Sequence, residues 1–301
     1  MTATLSDESN VIDVVTKPAV LLTYTALEAL QRSPKSEANL KRLIIFNKIF
    51  PLVILDEVHR LKDDQQRWLH AVQELRGLSF IGLTGTSFRH DVEWTGLPDL
   101  LGSFRHEVDK KKLIAAGWLP RILCYFHKFP AARPGVLDMG KVLVLVNILR
   151  EKSSEKTLVT CTCLKTLEQF HEAAQRRLGK KLLIVTGDTD KYPEDVRWTT
   201  IQRFRGQSNV LFISNIGDVG LDVPATCHIV LAPTSASKVQ LFQRLGRIMR
   251  PKDRKHPNPN QKPHESHTFA SPGREYQLTE EYKHDLRAEP GITIRPDITE
   301  L

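Results

Sequence analysis

The sequence predicts an α/β fold with two domains, each built on a parallel sheet. Short apolar runs alternate with longer amphipathic segments along most of the chain, which is the order of βαβ units. The run Leu52–Leu55 has no polar alternation, as in a strand that helices cover on both faces. With 301 residues, the chain also exceeds what one core commonly organises.

Composition and charge favour a globular protein with an anionic partner. Hydrophobic residues make up 41% and charged residues 26% of the chain. Lys and Arg exceed Asp and Glu by 43 to 35, a net charge of +8. Nucleic acid is the natural partner for such a surplus, because neutralising phosphates releases counterions.

The cysteines and the apolar stretches predict where the protein resides. The four cysteines show no Cys-x-x-Cys pair, so we expect free thiols in a reducing compartment: Cys124, Cys161, Cys163 and Cys227. No stretch is long enough to span a membrane, and Met1–Thr4 lacks a basic, apolar signal. The expected location is intracellular and soluble, in the nucleus of a eukaryote and otherwise in the cytoplasm.

The first predicted domain covers residues 1–130. Its predicted elements are a disordered or poorly held segment at 1–17, a buried strand at 19–23, the start of a helix at 27–30, a helical or loop-like stretch at 40–50, the apolar strand at 52–55, a helix at 65–75, a strand at 79–86, a short strand from Phe104, a helix at 109–116 and a strand at 119–129. Gly117 is expected to end the helix before it. The prolines and glycine at 130–135 predict a linker, so the domain boundary is placed there.

The second predicted domain covers residues 131–255 and repeats the alternation. Helices are expected at 143–149, 164–177, 195–204 and 237–249, and strands at 157–161, 181–186, 210–214 and 227–231. Residues 252–263 are rich in Lys, His, Pro and Asn, which is typical of a solvated loop. Residues 256–301 are expected to form a basic loop and tail, with a helix at 280–286 and a strand at 292–294.

Two adjacent carboxylates follow the apolar strand directly, at Asp56 and Glu57. Ligands of parallel α/β sheets bind beyond the carboxyl ends of the strands, and Mg2+ takes oxygen ligands while it bridges to phosphates. The second acid can orient an attacking water. An ordinary acidic turn explains the pair equally well, and a lone histidine such as His59 is more often structural than catalytic.

Two further segments have small polar residues at expected strand ends. Thr84-Gly85-Thr86 follows the next strand, where hydroxyls could relay between a phosphate site and the neighbouring domain; a backbone turn is the commoner explanation. Ser214–Pro224 contains two glycines and two aspartates, Gly217, Gly220, Asp218 and Asp222. Glycines allow close approach to phosphate or ribose, although a simple Gly/Asp turn fits as well.

A basic helix is predicted near the end of the second domain. Arg244, Arg247 and Arg250 follow one another at intervals of three, so they share one helix face. A guanidinium against a γ-phosphate is worth about 10³ to 10⁵ in rate in nucleotide hydrolases. Such spacing usually marks a solvated basic face, but Gln243 and Gly246 within the run favour a functional one.

In this order, the four segments resemble motifs II, III, V and VI of superfamily 2 helicases. Asp-Glu-Val-His at 56–59 is similar to the acidic box of the XPB helicases of nucleotide-excision repair and transcription factor TFIIH. Leu83–Arg89 resembles their motif III and Gln243–Lys252 their motif VI. The resemblance spans about residues 18–295 and implies two RecA-like domains in a P-loop NTPase helicase core, the first lacking its N-terminal part.

The resemblance also implies roles for individual residues. Asp56 would coordinate Mg2+ and Glu57 would activate water. His59 and Gln243 would couple the two domains, and Arg247 and Arg250 would act as arginine fingers. The ATP-binding residues would be Gly217, Asp222 and Arg244, and the nucleic-acid contacts would be Thr23, Thr86, Thr186 and Gly187. In its complete form such an enzyme is a DNA-stimulated ATPase that translocates 3′ to 5′ on single-stranded or forked DNA, together with repair or transcription subunits.

The sequence departs from this family in two places. Arg89-His90-Asp91 stands where the XPB helicases have Arg-Glu-Asp. No Gly-x-x-x-x-Gly-Lys-Thr/Ser loop is present, and Gly179-Lys180-Lys181 is expected to be its nearest approach. Without that loop, triphosphate binding by this chain alone should be severely weakened. We expect a truncated product, a wrong start codon or one part of a split helicase whose N-terminal half is the missing partner.

Two other functions fit the sequence. A non-catalytic DNA-binding or scaffold module would also have a +8 charge and no phosphate loop. A restriction or phage-type translocase of the same superfamily would share the four motifs.

Overall fold

A computed structural model describes two compact units, formed by residues 1–107 and 108–301. The described residues are 23–25, 27–28, 51–58, 61, 66–73, 75, 79–84, 101–102, 106–131, 136–214, 226–231, 245–246, 248–250 and 256–300. None of the helices within these ranges is long and apolar enough to cross a membrane.

The first unit contains a βαβ arrangement, as predicted. Strand β1 (Leu52–Leu55) pairs in parallel with β2 (Ser79–Gly82), and helix α1 (Gln66–Gln73) connects them in sequence. Buried apolar residues on one side of the sheet form its core, namely Leu27, Leu55, Val58, Leu61, Ala71, Val72 and Leu75. The apolar face of α1, which the sequence predicts from its helical spacing, therefore contributes to this core.

The expectation that β1 is buried on both faces is wrong. Leu52 and Ile54 are 46% and 58% exposed, and Ile81 of β2 is 46% exposed. Val53 and Leu55 point to the opposite face, where they contact the core. The reason is that the described part of this unit packs its helix and its core cluster against only one face of the two strands.

The second unit is a parallel sheet of eight strands. In chain order they are β3 (Ile122–Lys128), β4 (Thr157–Thr160), β5 (Leu183–Val185), β6 (Val210–Ile213), β7 (Cys227–Val230), β8 (His264–Ala270), β9 (Ile292–Ile294) and β10 (Ile298–Thr299). Their spatial order is β10–β3–β8–β7–β4–β6–β5, and β9 also pairs with β3. Every described pairing is parallel.

Five described helices accompany this sheet. They are α2 (Lys110–Ala115), α3 (Met139–Glu151), α4 (Leu164–Leu178), α5 (Glu194–Gly206) and α6 (Arg274–Arg287). The described residues of this unit form two separate apolar cores. One contains Val142 and Leu145 of α3 with Phe170 of α4, and the other contains Phe204 of α5 with Tyr282 of α6. The predicted doubly covered parallel sheet is therefore present here.

The tail expected at residues 256–301 is instead part of this sheet. Strand β8 pairs with β3 over seven residues, from Ile122 opposite His264 to Lys128 opposite Ala270, and with β7 on its other side. The units divide at Glu107 and Val108, upstream of the linker expected at 130–135. Because β3 pairs with strands of the second unit, residues 130–135 lie inside that unit's sequence, between β3 and α3, and do not separate the two units.

The polar composition of β8 explains why the strand was missed. Four of its seven residues are His264, Ser266, His267 and Thr268, and all four are buried. Ring nitrogens of both histidines have partners: His264 Nδ1 lies 2.5 Å from the carbonyl oxygen of Ile248, and His267 Nδ1 lies 3.0 Å from His127 Nε2. Buried polar groups need such bonds, but the apolar pattern of a sequence does not reveal them.

The structure also bears on three smaller expectations from the sequence, namely a strand, the start of a helix and the terminal segments. The strand expected from Phe104 is not present at 106–109, where Asp109 instead caps α2 by accepting from the backbone N–H groups of Lys111 and Lys112. Helix α6 begins at Arg274, six residues before the expected start. The segments 1–17 and 40–50 and most of 19–23 and 237–249 lie outside the described residues.

Replacing Gly117 by alanine tests how the loop at 256–262 is attached. Gly117 has φ of +79°, and a Cβ there would lie 2.3 Å from the backbone carbonyl carbon of Asn258. Because this contact is backbone, Gly117→Ala should cost about 2 kcal/mol or more of unfolding free energy. Gly179→Ala is the matched control: its φ is +62° and no atom lies within 4 Å, so only about 1 kcal/mol of backbone strain is expected.

Denaturant unfolding of the two variants, followed by circular dichroism, measures the difference. Equal losses of stability in both variants would show that the 256–262 loop does not pack on Gly117.

Candidate functional site

The acidic pair lies at the carboxyl end of β1. Asp56 is exposed and Glu57 is half-buried. The backbone N–H of Glu57 donates to Asp56 Oδ1 at 2.9 Å. The N–H of Val58 donates to the carbonyl of Leu83 at 2.9 Å, which fixes the turn against the end of β2. The sequence argument is therefore confirmed in one respect: the two carboxylates lie at the strand end.

Backbone strain marks the second carboxylate. Among the described residues, Glu57 is the one non-glycine residue with a positive φ, which is +51°. A left-handed conformation costs a residue with a Cβ about 1–2 kcal/mol. Such strain is concentrated at functional sites, where the surrounding structure holds it. Here the bond of Glu57 N–H to the Asp56 side chain and the bond of Val58 N–H to the Leu83 carbonyl, just after β2, hold the turn.

An aromatic pair supports the acidic turn from the side. The hydroxyl of Tyr24 donates to the backbone carbonyl of Asp56 at 2.7 Å. The Tyr24 ring stacks on Trp68 of α1 with 5.5 Å between centroids, and Trp68 Nε1 donates to Glu28 Oε2 at 3.1 Å. Thr23, a predicted nucleic-acid contact, is exposed and its carbonyl accepts from the N–H of Leu27. Thr23 therefore lies one residue from the side chain that touches the acidic turn.

In the second unit, small polar residues follow the ends of neighbouring strands β5 and β6. The N–H of Gly187 donates to Ser214 Oγ at 3.1 Å, and the N–H of Ser214 donates to the carbonyl of Val185 at 3.2 Å. Thr186 is buried, and its hydroxyl accepts from the N–H of Asp188 at 3.3 Å. Thr186 thus shapes the loop, whereas Gly187 presents exposed backbone at the sheet edge.

Sequence reasoning missed Cys163, which lies at the same edge after β4. All four cysteines are free thiols, as expected, but only Cys163 is exposed among them. The hydroxyl and the backbone N–H of Thr166, at the start of α4, lower the pKa of the Cys163 thiol. Burial raises the pKa of Cys124 and of Cys227 to about 12. The thiols therefore differ strongly in reactivity. In the sequence, the position of Cys163 just before a predicted helix was the signal that could have singled out this thiol.

One glycine–lysine spacing was also overlooked. Gly135, Gly140 and Lys141 have the spacing of a phosphate-binding loop, with Val142 in place of the hydroxyl residue, so the expectation that Gly179-Lys180-Lys181 is the nearest approach is wrong. The Lys141 side chain is buried and its Nζ lies 3.1 Å from Glu275 Oε2. Because its charge is committed to that ion pair, we assign Lys141 a structural role.

The basic helix is described only in part. Leu245 and Ile248 are buried in the second unit's core, and the N–H of Met249 donates to the carbonyl of Leu245 at 3.0 Å, as in a helix. Arg250 is half-exposed at the end of this turn. The other predicted site residues lie outside the described residues: His59, Thr86, Gly217, Asp222, Gln243, Arg244 and Arg247.

Comparison with known sequences identifies a domain family within the second unit and several relatives of the chain. Residues 140–252 match the family described as the helicase conserved C-terminal domain. A DNA repair helicase/translocase XPB-R of Trypanosoma brucei brucei is 27% identical over 235 residues, 68% of this chain and 29% of that protein. A DNA 3'-5' helicase XPB of Mycobacterium tuberculosis is 27% identical over 256 residues, 78% of this chain and 43% of that protein. The chain thus spans less than half the length of either relative.

A solved structure shows the same fold. S. cerevisiae Dbp5 bound to RNA and ADP BeF3 superposes with a TM-score of 0.62 at 16% sequence identity, covering 88% of this chain and 64% of that chain. This likeness confirms the parallel α/β architecture of RecA-like helicase domains. The resemblance predicted from the motifs is confirmed as well: the chain contains a helicase conserved C-terminal domain at residues 140–252 and is similar to XPB helicases over most of its length.

Proposed function

We propose that this chain is part of an ATP-dependent DNA translocase of the XPB type, acting in DNA repair or transcription. The observation that carries the proposal is the strained turn at Asp56 and Glu57, at the carboxyl end of β1, in a chain that also contains a helicase C-terminal domain. The polarity 3′ to 5′ is proposed because the M. tuberculosis relative is named for it.

The donor set at the turn fits a magnesium ion. Mg2+ is bound by one or two carboxylates and keeps waters and substrate phosphates as its other ligands. Asp56 is an exposed carboxylate, and its Oδ1 already accepts one backbone N–H. Asp56 would therefore hold the ion. When bound, the ion would neutralise charge on the phosphates of ATP.

Glu57 is suited to orient and deprotonate the attacking water. Its backbone N–H is bonded to Asp56 Oδ1, and the following N–H, of Val58, is bonded to the Leu83 carbonyl after β2, so the turn that carries Glu57 is held at the strand ends. General bases of this kind contribute about 10² to 10⁴ in rate. The Tyr24 hydroxyl, bonded to the carbonyl of Asp56, would keep the two carboxylates in their relative positions.

Residues of the C-terminal half complete the proposed reaction. We assign the role of arginine fingers to Arg247 and Arg250, and coupling of the domains to His59 and Gln243. Gly217, Asp222 and Arg244 would contact the nucleotide. These roles rest on the motif resemblance, together with the helical turn at 245–250.

The 301 residues contain no complete phosphate-binding loop, and Lys141 is held by Glu275. We therefore propose that polypeptide outside these residues supplies that loop, either in a longer chain or in a partner subunit. Some relatives are named as subunits of the general transcription and DNA repair factor IIH, such as that of Encephalitozoon cuniculi, 28% identical over 267 residues. A multi-subunit assembly on DNA is the corresponding proposal here.

The carboxyl edge of β4, β5 and β6 is the proposed DNA surface of the second unit. Gly187 presents exposed backbone there, and its N–H donates to the Ser214 hydroxyl, which can donate its own hydrogen in turn. Backbone amides and hydroxyls bind phosphate oxygens without reading sequence. The net charge of +8 supports such contacts, and Thr23 and Thr86 are the separate contacts proposed for the first unit.

The substitution Glu57→Gln tests the catalytic assignment. In the full-length gene product it should lower the rate of DNA-stimulated ATP hydrolysis about 10²-fold or more, because the amide cannot accept the proton of water. Glu194→Gln removes an exposed carboxylate of α5 and should leave the rate unchanged. The measurement is steady-state phosphate release with and without forked DNA.

Unchanged hydrolysis in Glu57→Gln would contradict the assignment. If the unmodified protein does not hydrolyse ATP and binds DNA with an affinity that ATP does not change, the chain is a non-catalytic DNA-binding module instead.

Alkylation of Cys163 tests the DNA surface independently of ATP. The exposed thiol with lowered pKa should react with iodoacetamide much faster than the buried Cys124 and Cys227. Saturating forked DNA should slow the labelling of Cys163 several-fold, as measured by mass spectrometry of its peptide. Labelling at the same rate with and without DNA would show that DNA binds elsewhere.

A further inference from the structure

A chain of ionisable side chains crosses three strands at one end of the second unit's sheet. Glu300 Oε1 lies 2.9 Å from His127 Nδ1, His127 Nε2 lies 3.0 Å from His267 Nδ1, and His267 Nε2 lies 3.3 Å from Glu265 Oε2. Glu265 Oε1 also lies 2.6 Å from Lys152 Nζ. Both histidines are buried, with 5% and 7% exposure.

The ring protons of these linked side chains can be counted from the hydrogen-bonding chemistry of the carboxylates that flank the two histidines. A carboxylate only accepts hydrogen bonds, so His127 Nδ1 and His267 Nε2 must each carry a proton. The central contact between the two rings needs one more proton, since two lone pairs would otherwise face each other. The two imidazoles therefore hold three ring protons together, so one is neutral and one is an imidazolium.

The surroundings indicate which ring is charged. The His267 ring stacks on Tyr125 with 4.8 Å between centroids and 9° between planes, a contact that favours a cation. Burial lowers the pKa of His127, which therefore remains neutral. With His267 charged, the two carboxylates are balanced by this imidazolium and by Lys152. A buried network of zero net charge avoids the cost of an uncompensated ion.

The network reaches strand β10, which pairs with β3 through two residues. Both residues of β10 are exposed. Its attachments are polar: the N–H of Glu300 donates to the carbonyl of Lys128 at 2.8 Å, and Asp297 forms ion pairs with Lys128 at 2.6 Å and with Lys283 at 2.5 Å. The bond of Glu300 to His127 is the attachment that contains a group titrating near neutral pH.

We propose that His127 and His267 share a single extra proton and that this proton state fastens β10 to the edge of the sheet. A second proton on the pair would leave two imidazolium rings facing each other through N–H groups only 3.0 Å apart. Repulsion between them turns His127 away from His267 and weakens its bond to Glu300. Acid therefore releases β10, while the rest of the sheet remains.

The other charged groups near the pair do not titrate in the same range. The Lys152 ammonium and the Glu265 carboxylate lie at one end; the bond from His267 lowers the pKa of Glu265 to about 2. Glu155 lies near Lys152, and Glu300 closes the other end. Lys128 and Asp297 form a separate ion pair beside the network. His127, whose pKa burial lowers, is thus the group that resists a further proton while β10 is attached.

The direction of the pH effect follows from linkage. The folded-state pKa of His127 is lowered, so protons bind better when β10 is released. While the pair keeps its single extra proton, the attached state is fully stable above the ordinary histidine pKa of about 6.5, and its stability declines as pH falls below that value. Loss of the single extra proton at higher pH would weaken the attachment again. At pH 5.5 the opening equilibrium should be up to about tenfold larger than at pH 7.5.

Hydrogen exchange of the peptide containing residues 295–300 in the full chain tests the proposal. After correction for intrinsic exchange rates, its protection should fall up to about tenfold from pH 7.5 to pH 5.5. His127→Gln is the informative variant, because its amide can donate to Glu300 and accept from His267 without titrating. It should keep the protection at both pH values. Asp297→Asn is the matched control: it should lower protection at both pH values and retain the pH dependence.

Nitrogen-15 NMR of the two rings at pH 7 gives an independent readout. We expect one neutral ring, protonated at Nδ1 of His127, and one imidazolium at His267. Two neutral rings or two imidazolium rings would overturn the proposal. So would the same pH dependence of exchange in His127→Gln and in the unmodified chain.

Discussion

Parallel pairing of the strands is the constraint on which the arrangement of the candidate sites depends. In each unit the described strands run in one direction, so their carboxyl ends meet at one edge. Asp56 and Thr84 follow neighbouring strands of the first unit, and Gly187 and Ser214 follow neighbouring strands of the second. An antiparallel pairing would send one member of each pair to the opposite edge.

The turns at these edges show how backbone bonds prepare a site before any ligand arrives. At Asp56 the N–H of the next residue is bonded to the carboxylate itself, and at Gly187 the N–H is bonded to the Ser214 hydroxyl. In both cases a side chain at one strand end organises the backbone of a turn. Preorganised polar groups of this kind lose little entropy when they bind phosphate or a metal ion.

The sequence predicted much of this architecture because burial in a parallel sheet leaves a clear apolar signature. Strands such as β4 and β6, with all four residues buried, were recognisable from their composition. β8 was not, since the partners of His264 Nδ1 and His267 Nδ1 lie in other elements, at Ile248 and His127. The exposure of Ile54 and the ion pair of Lys141 with Glu275 were equally hidden, because both depend on which distant segments pack nearby. The acidic turn was found because its charges contrast with an apolar strand.

The place of β8 in the sheet has a consequence for how the protein is made. β8 lies between β3 and β7 and pairs with both, yet it begins more than a hundred residues after β3 ends. During synthesis the ribosome must deliver residue 270 before β3 can join the other strands. Until then neither edge of β3 has its partner strand, and unpaired strand edges of this kind are prone to aggregate.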